Sequence, residues 1–417
     1  MKQIIMEGGH RLSGTIKISG AKNSAVALVP ASLLSDDIVT IDNIPDISDI
    51  QALNEILSYL GAKVTRDKEK MIIDAKSVIN KSIPEEISKK LRASYYFMGA
   101  LLGKYKKVEM YFPGGCSIGA RPINLHLKGF EELGAKIKEE GNKYIIEAEE
   151  LKGGHIYLDF PSVGATINIM LAAVKADGIT IIENAAKEPE ITNIATFLNQ
   201  MGAKITGAGT SEIKIAGVKK LGKCYIEVIP DRIEAGTYII AGALAGDNLK
   251  IENIIPEHIE SLLSKLEEMN VNMECHENYI IISKTNNINS VNIKTLGYPG
   301  FPTDLQQPIT TLLTTCNGVS TLEETIYENR FQNIPYLNNM GANIEINGRT
   351  ITIKGTTKLV GKTVKATDLR AGACLVLAGL IAEGTTIITD VEHILRGYEN
   401  IIQKLENVGA KIKLEEI

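Results

Sequence analysis

The chain has 417 residues, 44% hydrophobic and 23% charged, which is enough for two to four domains with sizeable cores and excludes a disordered or collagen-like polymer. Its 45 Lys and Arg against 50 Asp and Glu give a net charge of -5, so no polybasic surface is on offer to nucleic acid or anionic lipid. The longest apolar run, Ala371 to Ala382, is 12 residues against about 20 for a membrane helix, and the opening MKQIIMEGGHRLSG regains polarity too soon for an export signal, so a cytoplasmic location is expected.

From the N-terminus, the first apolar run is SAVALVPASLL, small-residued and apolar on nearly every side, as suits a buried helix. The β-branched stretch VTIDNI follows, then an amphipathic helix ending in LGAKV with its Gly at 61, where Gly is the natural C-cap. An alternating hairpin comes next, of the kind seen again in AKIKEEGNKYIIEA. The order then recurs. The capping phrase returns as LGAKI at 134, MGAKI at 202, the degenerate MNVNM at 270, MGANI at 341 and VGAKI at 409, at spacings of 73, 68, 68, 71 and 68 residues. Each copy has its apolar run upstream: ASYYFMGALLG, GATINIMLAAV, AGTYIIAGALAG, DLQQPITTLLTT and RAGACLVLAGLIAEG. Six units of about 70 residues result, each with two helices and about four strands. This is an α/β (α+β) chain of repeated units.

The sixth unit ends after AKIKLEEI, one strand into its hairpin. The opening QIIMEGGHRLSGTIKISGAKNSA aligns with TITIKGTTKLVGKTVKATDLRAGA at 350–373, which assigns residues 1–20 to the sixth unit. Two cores of three units then predict a domain of residues 22–228 and a discontinuous one of 229–417 with 1–21. The five cysteines, at 116, 224, 275, 316 and 374, are odd in number and lack CxxC pairs, which indicates reduced thiols rather than disulfides or zinc.

Arginine is scarce, nine against 36 Lys, and six of the nine fall at repeat-equivalent sites. Arg92, Arg232 and Arg370 open the apolar helices, where the first unit has Lys22. Arg121, Arg330 and Arg396 precede the amphipathic ones. A cation there opposes the helix dipole, whereas an anionic ligand welcomes it. Pairing with Asp231, Glu234, Asp304 and Asp368 is the ordinary alternative for any one of them. Six in register favour a cleft for a polyanion between the domains.

The segment Tyr111 to Pro122, YFPGGCSIGARP, reads as a loop, with three Gly and two Pro. It sets the Cys116 thiol five residues from Arg121, and nearby cations lower a thiol's pKa toward the range of a general acid or nucleophile. Cys224, Cys275, Cys316 and Cys374 are read as buried small hydrophobes.

With this loop, the chain resembles the enolpyruvyl transferases, and within them the carboxyvinyltransferases that act on UDP-N-acetylglucosamine. The resemblance runs end to end through GAKNSA, GGCSIGARPINLHLKGFEELGAK, PSVGATINIM, PDRIEAGTY, PGFPTDLQ, ENRF and DLRAGA. It implies two similar domains of three α/β units, an inside-out α/β barrel type, with the active site in the interdomain cleft. It implies transfer of the enolpyruvyl group of phosphoenolpyruvate to the 3'-hydroxyl of UDP-N-acetylglucosamine with release of phosphate, the first committed step of peptidoglycan precursor synthesis, without cofactor or metal. By the same resemblance, Lys22, Asn23, Arg121 and Arg396 would hold phosphoenolpyruvate. Cys116 would be the general acid, and the target of the epoxide fosfomycin, and Asp304 would take the hydroxyl proton. The sugar nucleotide would lie along Arg92, Arg121, Pro122, Ile123, Asn124, Leu125, Ser162, Val163, Gly164, Asp304 and Ile326, with Arg330, Asp368 and Arg370 assisting domain closure. Phe160 stands where some relatives carry a basic residue, which leaves Phe160 and Pro161 as open questions.

No GxGxxG follows a strand and no GxxxxGK[ST] is present, so hydride transfer and nucleotide hydrolysis lose their usual supports. His126 reads as a structural hydrogen-bonding residue. Two alternatives remain: the 3-phosphoshikimate enolpyruvyl transferase, which is not expected to carry the Cys loop, and a non-catalytic binder of the sugar nucleotide, which would need neither proton donor nor base.

Overall fold

The computed structural model describes residues 2–89, 92–111 and 123–416. The cysteine loop, and with it Cys116, Arg121 and Pro122, lies outside the described residues. The described strands form six small sheets, five of four strands and one of three.

One sheet illustrates the unit. Ile38–Asp42 lies between a parallel edge strand, Cys224–Glu227, and the antiparallel Lys70–Asp74, with Lys63–Asp67 outermost. The register sets Val39 against Ile73 and Ile41 against Met71, so the buried residues of neighbouring strands share one face. In the three-stranded sheet of Lys107–Tyr111, Lys136–Glu140 and Lys143–Glu147, a single parallel bridge from Ile83 to Met110 stands where the other sheets have an edge strand.

The recurring phrase owes its form to the backbone. Gly61, Gly134, Gly202, Gly341 and Gly409 all adopt left-handed φ between 90° and 108°. The degenerate copy keeps the conformation with Asn270 at φ 60°, asparagine being the other residue that tolerates it. A second repeated device follows the β-branched strands, where Asn43, Asn184 and Asn253 are also left-handed. Their side-chain amides donate to the carbonyls of Val228, Leu158 and Ile18 at 2.8, 2.8 and 2.7 Å. Each ties the strand end to the chain leaving the parallel edge strand beside it.

The described chain divides into two compact units, residues 20–229 and residues 2–19 with 230–416, each with its own hydrophobic core. The crossings fall after Ser19 and Ile229, where the sequence expectation put them after 21 and 228. In the first unit the helix Tyr96–Tyr105 packs on Lys22–Ala31 and Val163–Ala173, and in the second Arg232–Ala245, Gln306–Leu313 and Leu369–Ile381 pack on one another. These six are the small-residue apolar runs, and being covered on most sides is what their composition requires.

One expectation needs correction. Residues 1–20 do not all belong to the sixth unit. Lys2–Glu7 does, since it pairs with Thr385–Thr389 and Lys411–Glu416. Leu12–Lys17 instead pairs in parallel with Gly246–Glu252, in the sheet of the fourth unit. The reason is general to the repeat: the strand that leaves a hairpin becomes the edge of the next sheet. Leu12–Lys17 therefore leads into the helix Lys22–Ala31 of one unit while staying in a sheet of the other, and Cys224–Glu227 makes the reverse exchange.

Ser19, at the first crossing, is anchored inside its unit. Its N–H donates to Glu234 Oε2 at 2.9 Å, its hydroxyl donates to Glu399, and Lys404 Nζ reaches both Ser19 Oγ and Glu234 Oε1 at 2.6 Å. Burial raises the pKa of Glu234 to about 7, and the Lys404 charge offsets only part of that rise. A carboxyl that binds its proton more tightly when folded stabilises the fold fully below pH 4.5, and that contribution is lost as pH rises through about 7. The thermal midpoint should therefore fall between pH 5 and pH 8, by an amount worth at most roughly 3 kcal/mol from this group. Glu234→Gln should flatten the dependence; an equally steep midpoint-against-pH curve in the variant would assign it elsewhere.

Candidate active site

In the unit of residues 20–229, Lys22 and Asn23 open the helix Lys22–Ala31. Lys22 Nζ lies 2.7 Å from Asp49 Oδ2, and both side chains are nearly buried. Asp49 was not singled out from the sequence, because a carboxylate in the first turn of a helix reads as an ordinary complement to the dipole.

Six of the residues expected along the sugar nucleotide stand at two helix starts of this unit. Ile123 and Asn124 begin the helix Asn124–Glu132, which carries Leu125 in its first turn, and Ser162 caps Val163–Ala173 by accepting the Ala165 N–H at 3.3 Å. Gly164 leaves room for the pair Tyr95 and His126, since a Cβ would lie 2.9 Å from Tyr95 Oη and 3.0 Å from His126 Cε1. Tyr95 and His126 meet edge to face, 5.1 Å between ring centroids. Behind them, buried Asn168 donates to the Tyr95 carbonyl at 3.1 Å and to His126 Nδ1 at 2.9 Å, and accepts the Gly99 N–H at 2.9 Å. His126 is thus a buried structural hydrogen-bonding residue. Asn168 is the hub that sequence reading passed over, and its signal was a lone amide in an otherwise apolar run, which burial obliges to find partners. Arg92 opens the turn Arg92–Tyr95 that leads to this cluster, and Phe160 is exposed just before the Ser162 cap.

The other unit assembles an acid between two guanidiniums. Asp304 sits in the turn Thr303–Leu305 ahead of the helix Gln306–Leu313. Arg330 Nη2 donates to its Oδ1 at 2.7 Å and Arg370 Nη2 to its Oδ2 at 3.0 Å. Burial alone would raise the pKa of Asp304, but Arg370 and Arg330, by charge and hydrogen bonding, hold it far below the usual carboxylate range. Both arginines are 5% exposed or less at the side chain, while Asp304 keeps 27%, so Asp304 is the member of the trio with surface left open. Arg330 lies over the Tyr327 ring and Arg370 over the Tyr398 ring.

For these two arginines the ordinary reading of the sequence holds, since the anion they meet is the protein's own Asp304. Asp368 Oδ1 caps the helix Leu369–Ile381, accepting the Arg370 and Ala371 N–H groups at 2.8 and 3.0 Å, and its Oδ2 accepts from Gln307 Nε2 at 3.2 Å. Arg330, Asp368 and Arg370, expected to assist domain closure, thus have their described partners within one unit. Arg396 ends the helix Glu392–Leu395, and Ile326 follows the strand Val319–Glu323.

Of the thiols, Cys224, Cys316 and Cys374 are buried, and burial pushes their pKa up to about 11, 12 and 11. Cys275, expected to be buried, is exposed. Its strand, Met273–Cys275, is the edge of its sheet, where one side has no neighbour to cover it.

Comparison with known proteins now adds to the geometry. A family model described as EPSP synthase (3-phosphoshikimate 1-carboxyvinyltransferase) matches residues 6–405. A UDP-N-acetylglucosamine 1-carboxyvinyltransferase 2 from Geobacillus kaustophilus (strain HTA426) is 53% identical over 384 residues, 92% of this chain and 90% of the relative. Proteins of the same description from Listeria monocytogenes serovar 1/2a and Bacillus subtilis (strain 168) are 54% and 53% identical, with the same coverage of both chains. Among solved structures, the enolpyruvyl transferase NikO from Streptomyces tendae superposes with a TM-score of 0.90 at 25% identity, over 99% of this chain and 98% of its own. EPSP synthase from Acinetobacter baumannii superposes at 0.77 and 17% identity over the whole of both chains, a likeness of fold. The chain belongs to the enolpyruvyl transferase family, in its UDP-N-acetylglucosamine 1-carboxyvinyltransferase branch.

Proposed function

We infer that the chain transfers the enolpyruvyl group of phosphoenolpyruvate to the 3'-hydroxyl of UDP-N-acetylglucosamine and releases phosphate, the first committed step of peptidoglycan precursor synthesis in the cytoplasm. The observation that carries this reading is 53% identity over 92% of the chain to transferases of that description. Its support in the residues is the joint presence of Lys22, Cys116, Arg121, Asp304 and Arg396, because binding alone needs neither a proton donor nor a base.

In the proposed reaction Lys22, Arg121 and Arg396 hold the phosphate and carboxylate of phosphoenolpyruvate, with Asn23 beside them. Cys116 delivers a proton to the methylene carbon, and C2 becomes electrophilic. The 3'-hydroxyl oxygen attacks C2 while Asp304 accepts its proton, giving a tetrahedral phosphate ketal. Loss of a methyl proton and of phosphate restores the double bond as the enolpyruvyl ether. The two guanidiniums on Asp304 keep it ionised and ready, and they also make it a weak base. Proton uptake by Asp304 is therefore coupled to bond formation, when the hydroxyl proton has become acidic, rather than preceding it. Sugar-nucleotide binding is assigned to Arg92, Arg121 to Leu125, Ser162 to Gly164, Asp304 and Ile326.

Phosphate release tests the reading. It should occur from phosphoenolpyruvate with UDP-N-acetylglucosamine and not without it. Release with 3-phosphoshikimate in place of the sugar nucleotide would assign the chain to the other branch, and no release with the sugar nucleotide would overturn the reading.

A further inference from the structure

We infer that Glu324 is a positioning residue for the reaction read above: through Thr303 it aligns the arginine that grips Asp304, and through two main-chain N–H groups it shapes the segment that carries Ile326. The inference rests on the reading of Asp304 as the acceptor of the hydroxyl proton. Glu324 is 1% exposed and lies just beyond the strand Val319–Glu323. Its Oε1 accepts from Thr295 Oγ1 at 3.0 Å and from the N–H groups of Ile326 and Tyr327 at 2.8 and 3.1 Å. Its Oε2 accepts from Thr303 Oγ1 at 2.8 Å. Thr303 Oγ1 accepts in turn from Arg330 Nη1 at 2.8 Å, and Arg330 Nη2 donates to Asp304.

The direction of this chain is fixed by chemistry. A guanidinium only donates, so Thr303 must accept from Arg330, and its single hydrogen is left for Glu324. A carboxylate is the group that can take that hydrogen on one oxygen and two main-chain N–H groups on the other. The local fold has other supports: the Glu324 N–H is held by the Arg349 carbonyl at 2.8 Å and the Thr325 N–H by Thr295 Oγ1 at 2.9 Å. A carboxylate buried this deeply is costly to keep unless its oxygens are filled. What its side chain adds to the strand end is the orientation of Thr303, and so of Arg330.

Three variants test it. Thr303→Val cuts the link while keeping shape. Glu324→Gln keeps Oε1 on the main-chain N–H groups but turns an amide donor toward the Thr303 hydroxyl. Thr303→Ser restores the hydroxyl. The first two should lower kcat about tenfold or more while leaving the KM for UDP-N-acetylglucosamine near wild type, because a misaligned Arg330 misplaces the acceptor of the hydroxyl proton without touching the bound sugar nucleotide. Thr303→Ser should recover most of kcat. Wild-type kcat in Thr303→Val, a KM that rises as kcat falls, or a serine variant no better than the valine one, would overturn the inference. Ratios of variant to wild type are taken with whichever acceptor the wild type turns over, so this outcome is separate from the identity of that acceptor.

Discussion

Asp304→Ala should be both inactive and unstable. Removing a general base costs about 10²- to 10⁴-fold in rate. Removing the anion from between two buried guanidiniums should cost a further 3 to 5 kcal/mol or so of stability, because both charges lose their hydrogen-bonded counterion. Asp304→Asn separates the two effects, since the amide keeps the shape and part of the hydrogen bonding but cannot accept the hydroxyl proton. It should be nearly as inactive and less destabilised. The sign of the pH dependence follows from the depressed pKa: the stability that Asp304 contributes is present above its unfolded value near 3.8 and is lost as pH falls toward the much lower folded value. Acid unfolding curves of wild type and Asp304→Asn should therefore stay apart down to about pH 4 and draw together only below it. An Asp304→Asn enzyme with wild-type kcat would remove Asp304 from the mechanism.

Cys116 should give the second large effect. Cys116→Ser should be almost inactive, because a hydroxyl is far too weak an acid to protonate the methylene carbon near neutral pH. Cys116→Asp should retain activity with its optimum moved to lower pH, since a carboxylic acid donates with an unperturbed pKa of about 3.9 against about 8.5 for a thiol. The aspartate variant should also resist fosfomycin, a carboxylate being a much poorer nucleophile toward an epoxide than a thiolate. Rate profiles against pH settle the assignment. A serine variant with normal turnover, or an aspartate variant with the wild-type optimum, would show that another group supplies the proton.

The fold was legible where one residue type has one backbone use. Gly at the end of each amphipathic helix marked a left-handed cap five times, and even the degenerate sixth copy kept the conformation through Asn270. The buried helices were legible from composition alone. The exchange of Leu12–Lys17 and Cys224–Glu227 between units was not, because a strand's sequence states which face it buries and not which neighbour it joins. At the site, the cations were legible because arginine is scarce and in register. Their partners were less so: Asp304 could be named as a carboxylate near Arg330 and Arg370, but not as the one ion held by both. Glu324 and Asn168 were passed over because their importance lies in what they touch, and those contacts join segments about 20 to 70 residues apart.

The placement of Lys2–Glu7 between Thr385–Thr389 and Lys411–Glu416 sets the order in which a nascent chain can finish folding. At about 5 to 20 residues per second, a ribosome takes on the order of 20 to 80 seconds to deliver the last of these partners after the first strand has emerged. The unit of residues 20–229 has all its strands by the time residue 229 is made and can close meanwhile. The other unit must wait for both partners of Lys2–Glu7, holding an early strand with unpaired N–H and C=O groups throughout elongation. For that interval the strand is open to pairing with another chain, so yield on rapid overexpression should depend on chaperone supply in a way the finished fold does not reveal.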